Sequence, residues 1–102
     1  MKYQLRATKS RLYRLAKHYW PEIASMRETE YTKYPRVRDY AMHFQAGTYF
    51  HRIFLSVYDG KALLADTYSY YDDEGEEIKH GEVHTLTLDE LCNFELLEEV
   101  QG

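Results

Sequence analysis

Five carboxylates, Asp72, Asp73, Glu74, Glu76 and Glu77, surround Gly75 in the run YYDDEGEEIKHGEVH, and two histidines, His80 and His84, follow directly. Clustered carboxylates could hold a hard cation, and paired imidazoles could hold zinc. The spacing favours neither. A calcium loop of the EF-hand type takes oxygen ligands at alternating positions, a glycine at the sixth and a glutamate at the twelfth, and this run does not keep that register. Histidines four apart present two nitrogens to one metal on a helix, but Gly81 and Val83 favour a strand, where four residues span about 13 Å. Acids at a hairpin tip are most simply a solvated turn that keeps the adjoining tyrosine-rich strand from pairing with other chains. The functional alternative is that they imitate phosphates and enter a basic groove on another protein, drawn in by long-range attraction. Either use needs an exposed turn.

Tyr68, Tyr70 and Tyr71, together with Tyr49 and Phe50, are the second candidate. Tyrosines suit strands, and many of the eleven are expected to close the core. Gathered on a surface they serve base stacking or a protein interface. Stacking on nucleic acid requires cations alongside, and the strand region carries only Arg52, Lys61 and Lys79. Tyrosines ringed by carboxylates repel nucleic acid and suit a basic protein.

Catalytic signals are sparse. Cys92 sits among apolar neighbours in LDELCNF with nothing nearby in sequence to activate it as a nucleophile. His18 lies on a basic helix face without a carboxylate in register. The chain contains no Gly-rich phosphate loop and no CxxC, HExxH or GxSxG motif. His43 and His51 would face each other across a three-residue loop of Ala46, Gly47 and Thr48. A two-residue loop pairs Met42 with His51 and Phe44 with Tyr49 and keeps the apolar alternation, so no histidine pair is predicted there. The expectation is a protein that is not an enzyme and uses no cofactor or metal.

These residues must be positioned by a chain of 102 residues, a length that predicts one domain with one core. An apolar content of 44% argues against global disorder despite 29% charge. No apolar run approaches the roughly 20 residues of a membrane span, and the start Met-Lys-Tyr-Gln-Leu-Arg lacks the apolar core of a secretory signal. A single cysteine allows no internal disulfide. A soluble, cytoplasmic protein is therefore expected.

The net charge of -4 conceals a division: residues 1–38 hold ten Lys/Arg against three Glu, a net of +7, and residues 39–102 hold three against fourteen acids, a net of -11. Such asymmetry points to nucleic-acid or charged-protein partners, or to two halves that neutralise each other within the fold.

Thr8 is placed to cap a helix from about Lys9, with Leu12, Leu15, Ala16 and Tyr19 on one face, Tyr13 and Trp20 at its edge, and Arg11, Arg14, Lys17 and His18 opposite. Pro21 suits the first turn of a second short helix bearing Ile23 and Met26 inward, or a kinked continuation of the first. ETEYTKYPRVRD reads as a connection, because Pro35 biases Tyr34 toward an extended form. From Tyr40 the apolar period becomes two, predicting strands on either side of Gly47, a third from Lys61 to Tyr71 after the Asp59, Gly60 turn, and a fourth through EIKHGEVHTL with a bulge at Gly81. Thr87 and Glu90 form a capping box that opens a helix over Leu88, Leu91 and Phe94, while ELLEEV fits either more helix or an edge strand. The predicted fold is α+β: an N-terminal amphipathic helix, an antiparallel meander of about four strands and a short C-terminal helix, in one domain with a basic helical part (1–38) and an acidic β-rich part (39–102).

In size and composition alone the chain resembles small, charge-segregated, motif-poor proteins of phages and mobile elements, including anti-CRISPR and anti-restriction proteins. That resemblance implies an inhibitor that occupies a nucleic-acid-handling enzyme, and it assigns no residue. The functional expectation is a binding protein whose Tyr68, Tyr70, Tyr71, Asp72, Asp73, Glu74, Glu76 and Glu77 dock on a basic surface. One alternative is a nucleic-acid-binding module in which Arg11, Arg14, Lys17, Arg36 and Arg38 contact phosphates. Another is a structural subunit of a larger assembly, for which a homodimer would be the sign.

Overall fold

The computed structural model describes residues 2–34, 39–58 and 61–100. Thr8 caps the first helix, α1 (Lys9–Tyr19), its hydroxyl accepting from the Arg11 backbone N–H at 3.2 Å. Leu12, Leu15 and Ala16 form its buried stripe. The helix ends as the Trp20 N–H reaches the Ala16 carbonyl at 2.8 Å, and Pro21, which has no N–H to continue the ladder, opens a separate 3₁₀ turn, Pro21–Ser25. The chain thus starts a second short helix at Pro21 and does not kink the first. Thr87 and Glu90 form the expected capping box at the start of α2 (Leu88–Asn93), with Leu91 buried beneath it.

Five strands make one antiparallel sheet in chain order: β2 (Arg27–Tyr34), β3 (Asp39–Ala46), β4 (Tyr49–Tyr58), β5 (Lys61–Tyr71) and β6 (Glu77–Leu86). A separate two-stranded sheet joins β1 (Lys2–Leu5) to β7 (Leu97–Val100), so part of ELLEEV is an edge strand. The expectation of about four strands omits β2, which apart from Arg27 falls within the predicted connection ETEYTKYPRVRD. The segment, RETEYTKY, is polar apart from its tyrosines and so lacks the apolar alternation by which a strand is recognised; its pairing with β3 shifts register between Glu28 and Glu30. The bulge expected at Gly81 does not occur, since pairing runs unbroken from Ala62↔Leu86 to Tyr71↔Glu77. Pro35, Arg36, Arg38 and the Asp59, Gly60 turn lie outside the described residues.

The β3–β4 hairpin turns on two residues, with Gly47 at φ +60°, but Ala46 pairs with Tyr49, Phe44 with His51 and Met42 with Ile53. The predicted pairing of Met42 with His51 is therefore displaced by two residues. A shift of two leaves every side chain on its face, which is why the alternation could not distinguish the two registers. His43 stands opposite Arg52, not His51.

Cross-strand rows on the inner face run Tyr40–Leu55–Leu64–His84, Met42–Ile53–Asp66–Glu82 and Phe44–His51–Tyr68–His80. They begin apolar on β3 and become polar toward β6. The core joins the β3 to β5 part of these rows to Leu12, Leu15, Ala16 and Trp20 from α1, Ile23 from the 3₁₀ turn, and Leu86, Leu91, Leu96 and Leu97. Among the described residues no helix is long and apolar enough to cross a membrane.

Leu64 is fully buried in this core, whereas Val83 on the opposite face is 64% exposed. Leu64→Ala is expected to cost about 2–5 kcal/mol of unfolding free energy, and Val83→Thr to stay within about 0.5 kcal/mol. Urea unfolding measures both, and equal losses would contradict this assignment of faces.

Candidate functional site

Alternation decides which of the predicted aromatic residues meet. Tyr68 and Tyr70 share the inner face with Tyr49, whose ring stacks on both at centroid distances of 6.1 and 5.6 Å. His80, across from Tyr68, stacks on Tyr68 and Tyr70 at 6.3 Å each. Tyr71 and Phe50 occupy the other face and contact each other edge-on at 6.4 Å. The predicted patch of five rings is thus two groups on opposite sides of the sheet. His80 enters the inner group as a member that the sequence reading considered only as a metal ligand.

The acidic turn joins β5 to β6 at the end of the sheet where this aromatic plate lies. Asp72 organises it, one carboxylate oxygen accepting from the backbone N–H groups of Glu74 and Glu76 at 2.9 Å each. Gly75 takes φ +80°, a left-handed value that favours glycine. Asp73, Glu74, Glu76 and Glu77 are exposed. Among the described residues Lys79 comes nearest as a counterion, 3.9 Å from Glu77.

The basic helix residues are already engaged. Arg14 donates to the Phe94 carbonyl at 2.8 Å and stands 3.5 Å from Glu95, while Arg11 donates to the Arg6 carbonyl at 2.9 Å and lies 3.8 Å from Glu95. Lys9 pairs with Glu28 at 2.7 Å, and Arg6 with Glu98 at 2.8 Å. Lys17 is exposed and lies over the Tyr13 ring.

A buried polar pair that the sequence reading missed lies between the plate and the helix. His51 and Asp66 are 2% and 4% exposed, diagonal neighbours on β4 and β5, with Nδ1 and Oδ2 only 2.6 Å apart. That separation is typical of a charge-assisted bond. The other oxygen, Asp66 Oδ1, and the other ring nitrogen, His51 Nε2, have no hydrogen-bond partner among the described residues. Glu22, on the 3₁₀ turn, brings Oε1 to 3.2 Å from Nε2, near enough for charge pairing but outside hydrogen-bond geometry. A sequence signal existed: Asp66 and His51 fall at inward positions of otherwise apolar alternations, Ala62–Leu64–Asp66 and His51–Ile53–Leu55–Val57. Polar residues at inward positions of adjacent strands mark a buried pair.

The pair borders a cavity of ≈ 330 Å³ whose rim is Trp20, Glu22, Tyr68, His80 and Glu82. A second hollow of ≈ 180 Å³ shares Glu22, His51 and Tyr68 with it and reaches Tyr49. Glu82 accepts from the Trp20 indole N–H at 2.9 Å and lies 2.7 Å from His84 Nε2. The indole bond, followed by the one to His84, holds its carboxyl below the ordinary value. Burial raises the Tyr68 hydroxyl, and the neighbouring Tyr49 and Tyr70 add to that. His84 packs against Tyr19 and Trp20, and His80 against tyrosines, so the two histidines face separate surroundings. Among the described residues no group of three or more His, Cys, Asp or Glu has the arrangement of a metal site. Cys92 is half-buried on α2.

No family model, curated protein or solved structure matches this chain.

Glu90 is also held below the ordinary carboxyl value, first by its bond from the Thr87 backbone and then by the Tyr19 hydroxyl. Glu82 and Glu90 therefore bind protons less tightly folded than unfolded. They contribute stability that is complete above the ordinary value of 4.5 and is lost as pH falls through their lowered folded values. Urea unfolding followed by Trp20 fluorescence between about pH 6 and about pH 3 is expected to show this decline, and Glu82→Gln to flatten it. An unchanged slope in the variant would remove Glu82 from the account.

Proposed function

We propose that this chain is a non-enzymatic binding protein that docks its acidic, tyrosine-bearing end on a basic surface of another protein. One observation carries the reading: Tyr49, Tyr68, Tyr70 and His80 form a single stacked plate on the same sheet face as Glu22, Asp66 and Glu82. The cations of β4, β5 and β6, namely Arg52, Lys61 and Lys79, all fall on the opposite alternation. Carboxylates beside π-faces attract lysine and arginine and repel phosphate. Asp72, Asp73, Glu74, Glu76 and Glu77 extend the negative field beyond the plate and would speed the encounter. The partner this chemistry favours is a nucleic-acid-handling protein, whose phosphate-binding groove presents clustered Lys and Arg. Occupying that groove would inhibit it, the role of the mobile-element inhibitors that the composition resembles. The phosphate-binding alternative has less support, because Arg11 and Arg14 are both engaged with Glu95 and backbone carbonyls.

A fluorescein-labelled peptide of alternating lysine and glycine serves as the probe, titrated at low and moderate salt. The expected result is salt-sensitive binding, weakened by joint replacement of Asp72, Asp73, Glu74, Glu76 and Glu77 with Asn or Gln, and weakened independently by Tyr70→Ala. Undiminished binding by both variants sinks the reading. Labelled duplex DNA, single-stranded DNA and RNA are expected not to bind. Affinity for any of them falling with a slope near -0.9 per neutralised phosphate, made shallower by Arg11→Ala, would put the phosphate reading in its place.

A second reading, a subunit of a larger assembly, rests on the outer face. Ala41, Phe54, Ala65 and Val83 line up across four strands as an apolar row, with Phe54 and Val83 exposed. On that reading sedimentation velocity shows a dimer that Val83→Lys dissociates, and a monomer at all concentrations dismisses self-association.

A further inference from the structure

The cavity beside the plate contains more hydrogen-bond acceptors than donors. Asp66 Oδ2 lies 2.6 Å from His51 Nδ1, while Asp66 Oδ1 has no hydrogen-bond partner among the described residues. Glu22 adds a carboxylate 3.2 Å from Nε2, and Glu82 already takes the indole N–H of Trp20. Among the described residues no Lys or Arg borders the cavity. Buried acceptors without donors are rare in folded proteins, because each has given up its hydrogen bond to water. A ligand that donates to Asp66 Oδ1 restores what burial removed there, and the exposed Glu22 carboxylate offers it a second acceptor.

We infer that this cavity takes a guanidinium group, the side chain of an arginine on the protein partner; the inference rests on the partner-binding reading above. A guanidinium is planar and carries five N–H donors in a fixed fork, so one group can donate to Asp66 Oδ1 and the Glu22 carboxylate together. Its face stacks on an aromatic ring, and Tyr68 and Trp20 both border the cavity. A lysine ammonium is a compact point charge without the fork or the stacking plane. The volume of ≈ 330 Å³ falls in the range of small-ligand sites. Glu22 closes the approach to Nε2, but it sits on a single 3₁₀ turn with its side chain 54% exposed, so rotation of that side chain opens the way. An arginine seated there fills a pocket continuous with the docking surface, the kind of desolvated position in which interface energy concentrates. A free guanidinium compound would meet the same acceptors; continuity with the tyrosine plate assigns the group to a protein.

The test is calorimetry at low salt with lysine-glycine peptides that differ only at a central arginine, lysine or citrulline, alongside arginine methyl ester. The expected result is an arginine peptide bound about tenfold tighter than the citrulline peptide, with the lysine peptide between them and the His51 ring resonances shifting. Glu22→Gln is expected to lose most of the arginine preference while still binding the lysine peptide. Glu22 is on the surface, so circular dichroism of this variant should match the parent. Equal affinity for the three peptides with His51 unmoved overturns the guanidinium pocket and leaves the docking surface standing. Failure of all three to bind overturns the docking surface, and the pocket with it. Arginine methyl ester bound as tightly as the arginine peptide overturns the assignment to a protein partner.

Discussion

A mismatch of lengths organises this molecule. The central strands β4 and β5 have 10 and 11 residues, about 35 Å of extended chain, whereas α1 has 11 residues and spans about 16 Å. One helix of that length covers only part of the face of such a sheet. The covered part is filled with Leu, Ile, Met and Phe, and its cost in chain entropy is met by ordinary apolar burial. The uncovered part, toward the β3–β4 and β5–β6 turns, must face water. Its side chains are accordingly amphipathic: tyrosines that stack on one another, and a histidine among them.

The same geometry explains where the charges go. Glu95, just beyond α2, lies within 4 Å of both Arg11 and Arg14, and pairing of β1 with β7 brings Glu98 to Arg6. Three cations of the basic segment, Arg6, Arg11 and Arg14, are thereby set beside two acids from the far end of the chain. These are exposed pairs, worth little each to stability. Their larger effect is on the field of the molecule, because the carboxylates left without such partners lie mainly at the tyrosine end. Among the described residues, part of the basic segment is paired with acids while the carboxylates of the turn at Gly75 stand largely without cations.

Between these two regions sits the pair of His51 and Asp66. A buried polar pair of this kind is seldom a net source of stability, since taking such groups out of water costs about as much as their interaction returns. Here the arrangement is also incomplete, with one polar atom on each residue lacking a hydrogen-bond partner among the described residues. Apolar residues of the same shape would fill the site at lower cost, so the pair is better understood through the cavity it borders than through the core it closes.

The sequence by itself determined the α+β class, the capped amphipathic helix, the capping box at Thr87 and the strand over Lys61–Tyr71, because each is written in local periodicity and local hydrogen bonding. It did not reveal β2, whose polar sequence carries no apolar alternation, nor separate two hairpin registers that differ by two residues and leave every face unchanged. It grouped Tyr68, Tyr70 and Tyr71 by proximity along the chain. Only the tertiary structure divided them, adding Tyr49 and His80 to one face and leaving Tyr71 with Phe50 on the other. The acidic turn was legible because it is contiguous. The site of Glu22, His51, Asp66 and Glu82 was not, because its members come from a 3₁₀ turn and three strands and meet only through cross-strand pairing, a long-range contact that no local pattern encodes.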